Sequence, residues 1–355
     1  MACAESVSGA RNVNSDPTLV KDIVEVLDEP GGCKQRRPVH TVGIGVSGWF
    51  DPSDIAPNYC IAEHFTQRRV DVTARFSNGN GMVQPHDGWS DVRGFAVRFH
   101  LPDNKATDLI AMTLPVFFAP TPETFYDFAL NAKQAPCKRE SGWQKILDYL
   151  SLSLPMPDPY PGQTERANEG ATHFADKTDW AKPSVLAASN IGAPVSYARA
   201  TYHAVHTFLV TGTDGMERHV RFAWQPVAGV LKTDPRKLPD NEYLQDDIRK
   251  RLANAPDRFS LMMTIGEAGD PFNDSTRQWP LHRKRVMMGT LYLDKVAEDQ
   301  EANGEKLSFN PCRLPDKGIR LSDDPVLIIR RDAYEFSRKR RGGTPCPFSN
   351  PAEDK

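Results

Sequence analysis

No stretch of this 355-residue sequence is apolar for long enough to cross a bilayer. The longest mostly apolar run, Leu109 to Phe118, is short and carries Pro115 within it. The N-terminus lacks the basic-then-apolar order of a secretory signal, so neither a membrane span nor export is expected. Six cysteines, Cys3, Cys33, Cys60, Cys137, Cys312 and Cys346, form no C-x-x-C pair, which removes the usual zinc and dithiol motifs. They read as reduced thiols of a cytoplasmic protein. Asn273-Asp274-Ser275 spells a glycosylation acceptor, but without an export signal nothing would modify it. An excess of one charge is missing too: 44 Lys and Arg stand against 46 Asp and Glu. No global field therefore draws the chain to nucleic acid or to a charged membrane.

What is present is an ordinary globular composition, 39% hydrophobic and 25% charged, long enough for one large domain or two ordinary ones. Residues 1–34 are polar and weakly periodic until Val20 to Val26, and read as an N-terminal arm, with order beginning near Arg37. The core is expected over 35–343 and a tail over 344–355. Val39 to Val46, Val70 to Phe76, Phe95 to Phe99, His206 to Val210, Arg218 to Trp224 and Val286 to Leu293 read as strands. The fourth and fifth form a hairpin around Thr211-Gly212-Thr213-Asp214-Gly215. Pro120 to Gln134, Gly142 to Leu152, Asn241 to Ala255 and Pro325 to Arg338 have helical spacing, the last opened by Ser322-Asp323-Asp324-Pro325. Met156 to Pro183, rich in Pro, Asp and Thr, reads as a long surface connection. There is no internal repeat and no regular βαβ alternation, which predicts an α+β fold on an antiparallel sheet or barrel.

Three short patterns carry chemistry. Gly43-Ile44-Gly45-Val46-Ser47-Gly48 spells the dinucleotide fingerprint, but Trp49-Phe50-Asp51-Pro52 does not open the helix the motif requires. The basic run Arg338-Lys339-Arg340-Arg341 lacks interleaved aromatics and suits a helix C-terminus better than a nucleic-acid patch. Arg330 and Tyr334, four apart, share one helix face, where a guanidinium favours the ionised form of a phenol. A phenolate is a ligand for ferric haem iron.

Alone, Arg-x-x-x-Tyr is common. It stands here in register with Arg37-Pro38-Val39-His40, Arg75-Phe76-Ser77-Asn78-Gly79, Asp91-Val92-Arg93-Gly94-Phe95 and Pro115-Val116-Phe117-Phe118. His206-Thr207-Phe208, Trp279-Pro280, Phe309-Asn310-Pro311 and Asp324 through Tyr334 follow in the same order. Over about residues 35 to 343 this set resembles the catalase family, in a small form limited to the catalase core. The resemblance implies an antiparallel eight-stranded β-barrel with surrounding helices and a b-type haem with ferric iron. It implies Tyr334 as proximal metal ligand with Arg330 as charge partner, and His40 as distal acid-base residue assisted by Ser77. Arg37, Arg75 and Arg341 match positions that pair with haem propionates. Asp324 and His206 match a proximal network, and Val39, Phe117, Phe125 and Phe128 the pocket wall.

The chain departs from the family at one place that matters for chemistry. Where the family has Gly-Asn-Asn-Thr-Pro, this sequence has Ala111-Met112-Thr113-Leu114-Pro115. Met112 donates no hydrogen bond, and Thr113 could replace the distal amide only by pointing inward. Thr41-Val42 and Glu335-Phe336-Ser337 also differ from the family pattern. The expected activity is a haem-dependent peroxidase acting on organic hydroperoxides or hydrogen peroxide, with an electron donor of unknown identity and weak or no disproportionation. A hydroperoxide isomerase of the allene oxide synthase type, a true catalase, and a haem-binding protein without turnover are the alternatives. Monomer, dimer and tetramer all stay open.

Overall fold

The computed structural model describes residues 15–29, 36–82, 85–133, 135–136, 141–151, 165–166, 169–234, 236–237, 239–300 and 307–342. In chain order the first half gives α1 (Pro17–Asp28), β1 (Gly43–Pro52), α2 (Ala56–Tyr59), α3 (Glu63–Thr66), β2 (Val70–Asn78), β3 (Arg93–Leu101) and β4 (Lys105–Met112). Then come α4 (Pro122–Asn131), the two-residue β5 (Ala135–Pro136), α5 (Gly142–Leu150), β6 (Glu165–Arg166), α6 (Glu169–Asp176) and α7 (Lys182–Ser189). The second half gives β7 (Tyr202–Thr211), β8 (Glu217–Pro226), α8 (Tyr243–Leu252), β9 (Asp257–Ile265), β10 (Arg285–Val296), β11 (Ile319–Leu321) and α9 (Pro325–Arg340).

Eight strands pair in the order β7-β4-β3-β2-β1-β10-β9-β8 and close through β7–β8, while β11 adds to the edge of β7. The result is the antiparallel eight-stranded barrel that the motifs implied. Alternation along each strand sorts its side chains. Phe76, Phe95, Val97, Tyr202, Trp224 and Phe259 point inward and fill the barrel with close ring contacts. The residues between them face outward, and over β2, β3, β4 and β7 that outer face is covered by helices.

Several expectations change. The strand read from Val39 begins four residues later, and Val39 to Val42 are irregular. His40 has φ 58°, a left-handed conformation uncommon outside glycine, so β-branched neighbours did not decide its backbone. The fingerprint glycines lie inside β1, which runs on to Pro52, so they open no helix; the four-residue α2 starts only at Ala56. A Cβ on Gly43 would stand 2.2 Å from the Phe76 carbonyl, and one on Gly48 1.9 Å from that of Tyr292, so close strand approach accounts for both. Pro17–Asp28, read as part of the arm, is a helix capped by the Asp16 side chain, and Val20, Ile23 and Val24 bury against Ile329 and Ala333 of α9. The connection from Met156 contains α6 and the start of α7, where Ala171, Ala175 and Val185 pack on Phe128. The tail over 344–355, Cys3, Cys33, Cys137 and Cys346 lie outside the described residues; Cys60 and Cys312 are free thiols.

Candidate active site

Between the outer barrel face and helices α1, α4, α6, α7 and α9 lies a cavity of about 540 Å³. That is within the range of ligand and cofactor pockets, roughly 300–1,000 Å³. Arg37, Val39, His40, Arg75, Ser77, Phe117, Phe125, Phe128, Arg330, Tyr334 and Arg341 all line it, although they come from across the whole sequence.

One side of the cavity is the N-terminal half of α9 and its support. Asp324 caps this helix, its Oδ1 accepting from the N–H of Val326 at 2.9 Å and of Leu327 at 3.4 Å, a contribution of about 1 kcal/mol for such caps. Its other oxygen meets His206 Nδ1 at 2.7 Å. Arg330 donates from Nη1 to His206 Nε2 at 2.7 Å and from Nη2 to the Tyr334 Oη at 3.0 Å. Because a guanidinium only donates, Nε2 of His206 must accept, which places the ring proton on Nδ1, donated to Asp324. Burial, with Arg330 beside it, lowers the His206 pKa and keeps the ring neutral. Burial opposes ionisation of Asp324, but the contacts with His206 and the two backbone N–H groups outweigh it and its pKa is lowered. The Arg330 guanidinium also lies 5.1 Å over the Phe117 ring, which fixes it from the cavity side. His206 and Asp324 do not themselves line the cavity: they reach it through Arg330 and through the Phe117 ring, which lies 5.6 Å from that of His206.

The opposite side is built on the sheet. His40 Nδ1 lies 3.0 Å from Ser77 Oγ, and its backbone is held by Gly79 O at 3.2 Å. Arg75 donates to the carbonyls of His40 at 2.9 Å and Thr41 at 3.0 Å, so this arginine secures the left-handed turn as well as facing the cavity. Gly94 leaves the room the imidazole occupies: a Cβ there would stand 2.6 Å from both His40 Nδ1 and Ser77 Oγ. Burial pushes the His40 pKa down to about 4, so the ring is neutral and one nitrogen is available to accept a proton.

Across the strands, Ser77 pairs with Gly94, Gly94 with Met112, and Met112 with His203. Met112 and His203 thus continue the cavity floor beyond His40. Thr113 does not line it; its hydroxyl accepts from the Arg93 backbone N–H at 2.9 Å. Of Met112 and Thr113, it is the thioether that reaches the cavity. His203 and Gly94 had no individual reading in the sequence. His203 escaped because the strand was read from His206, four residues after β7 starts.

A haem fits this donor set. The cavity has apolar walls, a phenol with a guanidinium partner at one side, an imidazole at the other, and three further arginines suited to two carboxylates. Among the described residues no cluster of three or more His, Cys, Asp or Glu offers an alternative metal site.

Comparison with known proteins agrees. A family model described as "Catalase" matches residues 33–155 and 172–346. A catalase-related peroxidase of Mycolicibacterium paratuberculosis is 32% identical over 90% of this chain and 94% of its own length. One of Synechococcus elongatus is 28% identical over 86% of this chain and 83% of its own. Among solved structures, a fungal catalase superposes with a TM-score of 0.72 at 22% identity, covering 89% of this chain. The chain spans 62% of that catalase's length. With the family model matching most of its residues and a relative 32% identical over 90% of its length, the chain belongs to the catalase family.

Proposed function

We propose that this protein is a haem-dependent peroxidase that reduces organic hydroperoxides, and hydrogen peroxide more slowly, with two electrons from a separate donor. The observation that carries the reading is Met112 on the cavity floor with Thr113 turned away. A hydrogen-bonding amide would orient small peroxide or water; a thioether instead offers an apolar wall to an alkyl group.

The residues divide the work. Tyr334, with its oxygen held by Arg330, is the group that would ligate a ferric b-type haem, and Arg37, Arg75 and Arg341 would pair with its propionates. Val39, Phe117, Phe125 and Phe128 would pack on its faces and rim, excluding water. Haem supplies, when bound, the redox chemistry that cleaves an O–O bond. His40 takes the proton from the arriving hydroperoxide on Nε2 and returns it to the leaving oxygen, while Ser77 holds Nδ1 and fixes the ring. Neutrality at physiological pH is what this role requires, and burial provides it.

The test is the absorption spectrum of the purified protein beside Tyr334→Phe, followed by turnover with cumene hydroperoxide and with hydrogen peroxide. A haem band lost or shifted in the variant, and donor consumption faster with cumene hydroperoxide, are expected. Rapid oxygen release from hydrogen peroxide would make the protein a true catalase, and hydroperoxide loss without donor consumption would make it an isomerase. Absence of haem after reconstitution would end the proposal.

A further inference from the structure

The floor of the cavity is a single row of residues on adjacent strands: Ser77 of β2, Gly94 of β3, Met112 of β4 and His203 of β7. The row starts polar, where Ser77 holds His40 over the glycine, turns apolar at Met112, and ends polar at His203. Strands lie about 4.8 Å apart, so His203 stands two strands, roughly 10 Å, from the glycine beneath His40. The outward face here is otherwise apolar: Met112 clusters with Val92, Leu114, Phe117, Val205 and Val326. The imidazole of His203 is half-buried at this cavity, where a bound molecule can give it the hydrogen-bond partner the protein does not.

Among the described residues His203 makes no side-chain hydrogen bond, in contrast to His40, which meets Ser77, and His206, which is bonded on both nitrogens. Its neighbours on the strands are Met112 and Ala223, and neither is hydrogen-bonded to its ring. Burial, and then the charge of Arg285, makes the ring neutral, so this cavity-lining side chain carries one donor and one acceptor.

We propose that His203 is a specificity-determining residue that hydrogen-bonds a second oxygen carried by an elongated organic substrate whose peroxide end lies at His40. The inference rests on the peroxidase reading and refines its substrate class: an aliphatic chain over Met112, oxygenated at both ends. A hydroxyl, carbonyl or carboxyl oxygen shares the required chemistry.

The test is calorimetric titration of the purified holoprotein with unreactive alcohols. 1,8-Octanediol is expected to bind roughly fivefold more tightly than 1-octanol, the effect of one net hydrogen bond. 1,4-Butanediol, too short to reach both points, should show no such advantage over 1-butanol. His203→Leu should abolish the eight-carbon preference and His203→Gln should restore it. Equal affinity of the wild type for the two octyl probes overturns the inference without any variant, and so does a preference that persists in His203→Leu. 1,10-Decanedioic acid, titrated beside the diol, separates a carboxyl from a hydroxyl source. A length-dependent preference in a protein that turns over no hydroperoxide would sink the peroxidase reading while leaving this recognition point standing.

Discussion

The two sides of the cavity are built to different standards of rigidity. On the phenol side, Asp324, His206, Arg330 and Tyr334 form one unbroken chain of hydrogen bonds between 2.7 and 3.0 Å, anchored in a helix cap. On the imidazole side, His40 has one hydroxyl partner, a left-handed backbone and a glycine beneath it, and beyond it the floor is a flexible thioether. The first arrangement holds one charge in one place. The second leaves space, which is what a site needs when its substrates vary in shape but its metal ligand does not.

The sharpest way to probe that difference is to remove the single acid-base group. His40→Leu should lower kcat for cumene hydroperoxide by about 10²- to 10⁴-fold while leaving the haem spectrum in place, because general acid-base groups contribute on that scale. Retention of wild-type kcat would mean that the imidazole side has no catalytic proton carrier. A smaller effect is expected from the other side. Arg330→Leu should weaken haem retention or activity by about 10- to 100-fold, the usual result of losing a partner behind a metal ligand. A loss as large as that of Tyr334→Phe would show the chain to be ligand and support in one.

The smallest effect is in pH. Burial lowers His40 to about 4, His203 to about 4 and His64 to about 3, below the ordinary histidine value near 6.5. Between those values the unfolded chain binds more protons than the folded one, so stability rises with pH across that window. Thermal unfolding should therefore fall by several degrees as pH drops from 6.5 toward 4, and the acid limb of turnover should lie near 4. An acid limb near 6.5 would show that His40 is not held neutral by burial.

Much of this was readable in the residues, for reasons that differ by region. Strands with alternating β-branched and aromatic residues, such as β2 and β7, announce themselves, and the hairpin turn at Gly215 needs its φ of +71°. β9, with Met262 and Met263 at its centre, does not, because methionine has no marked preference for strands. The irregular backbone around His40 runs against its β-branched neighbours and is imposed by Arg75 and Gly79, partners distant in sequence. α1 was hidden by its polar surroundings, since its apolar face has meaning only against α9. That His40, Arg75, Arg330 and Tyr334 would gather at one cavity was legible through motif order. The place of His203 was not, for only the pairing of β7 with β4 brings it to the cavity.

The N-terminal helix walls the cavity on one side. Ile23, Val24 and Leu27 of α1 form part of its wall, and α1 is tied to α9 by Ser15 N–H to Asp332 across 317 positions and by the Asp28–Arg340 ion pair at 3.1 Å. This wall is thus completed by contacts that join the two ends of the described chain, closing a loop of large entropic cost. The shape of the cavity therefore depends on the first and last described helices staying together, so a change at either end of the chain reaches a site it does not touch.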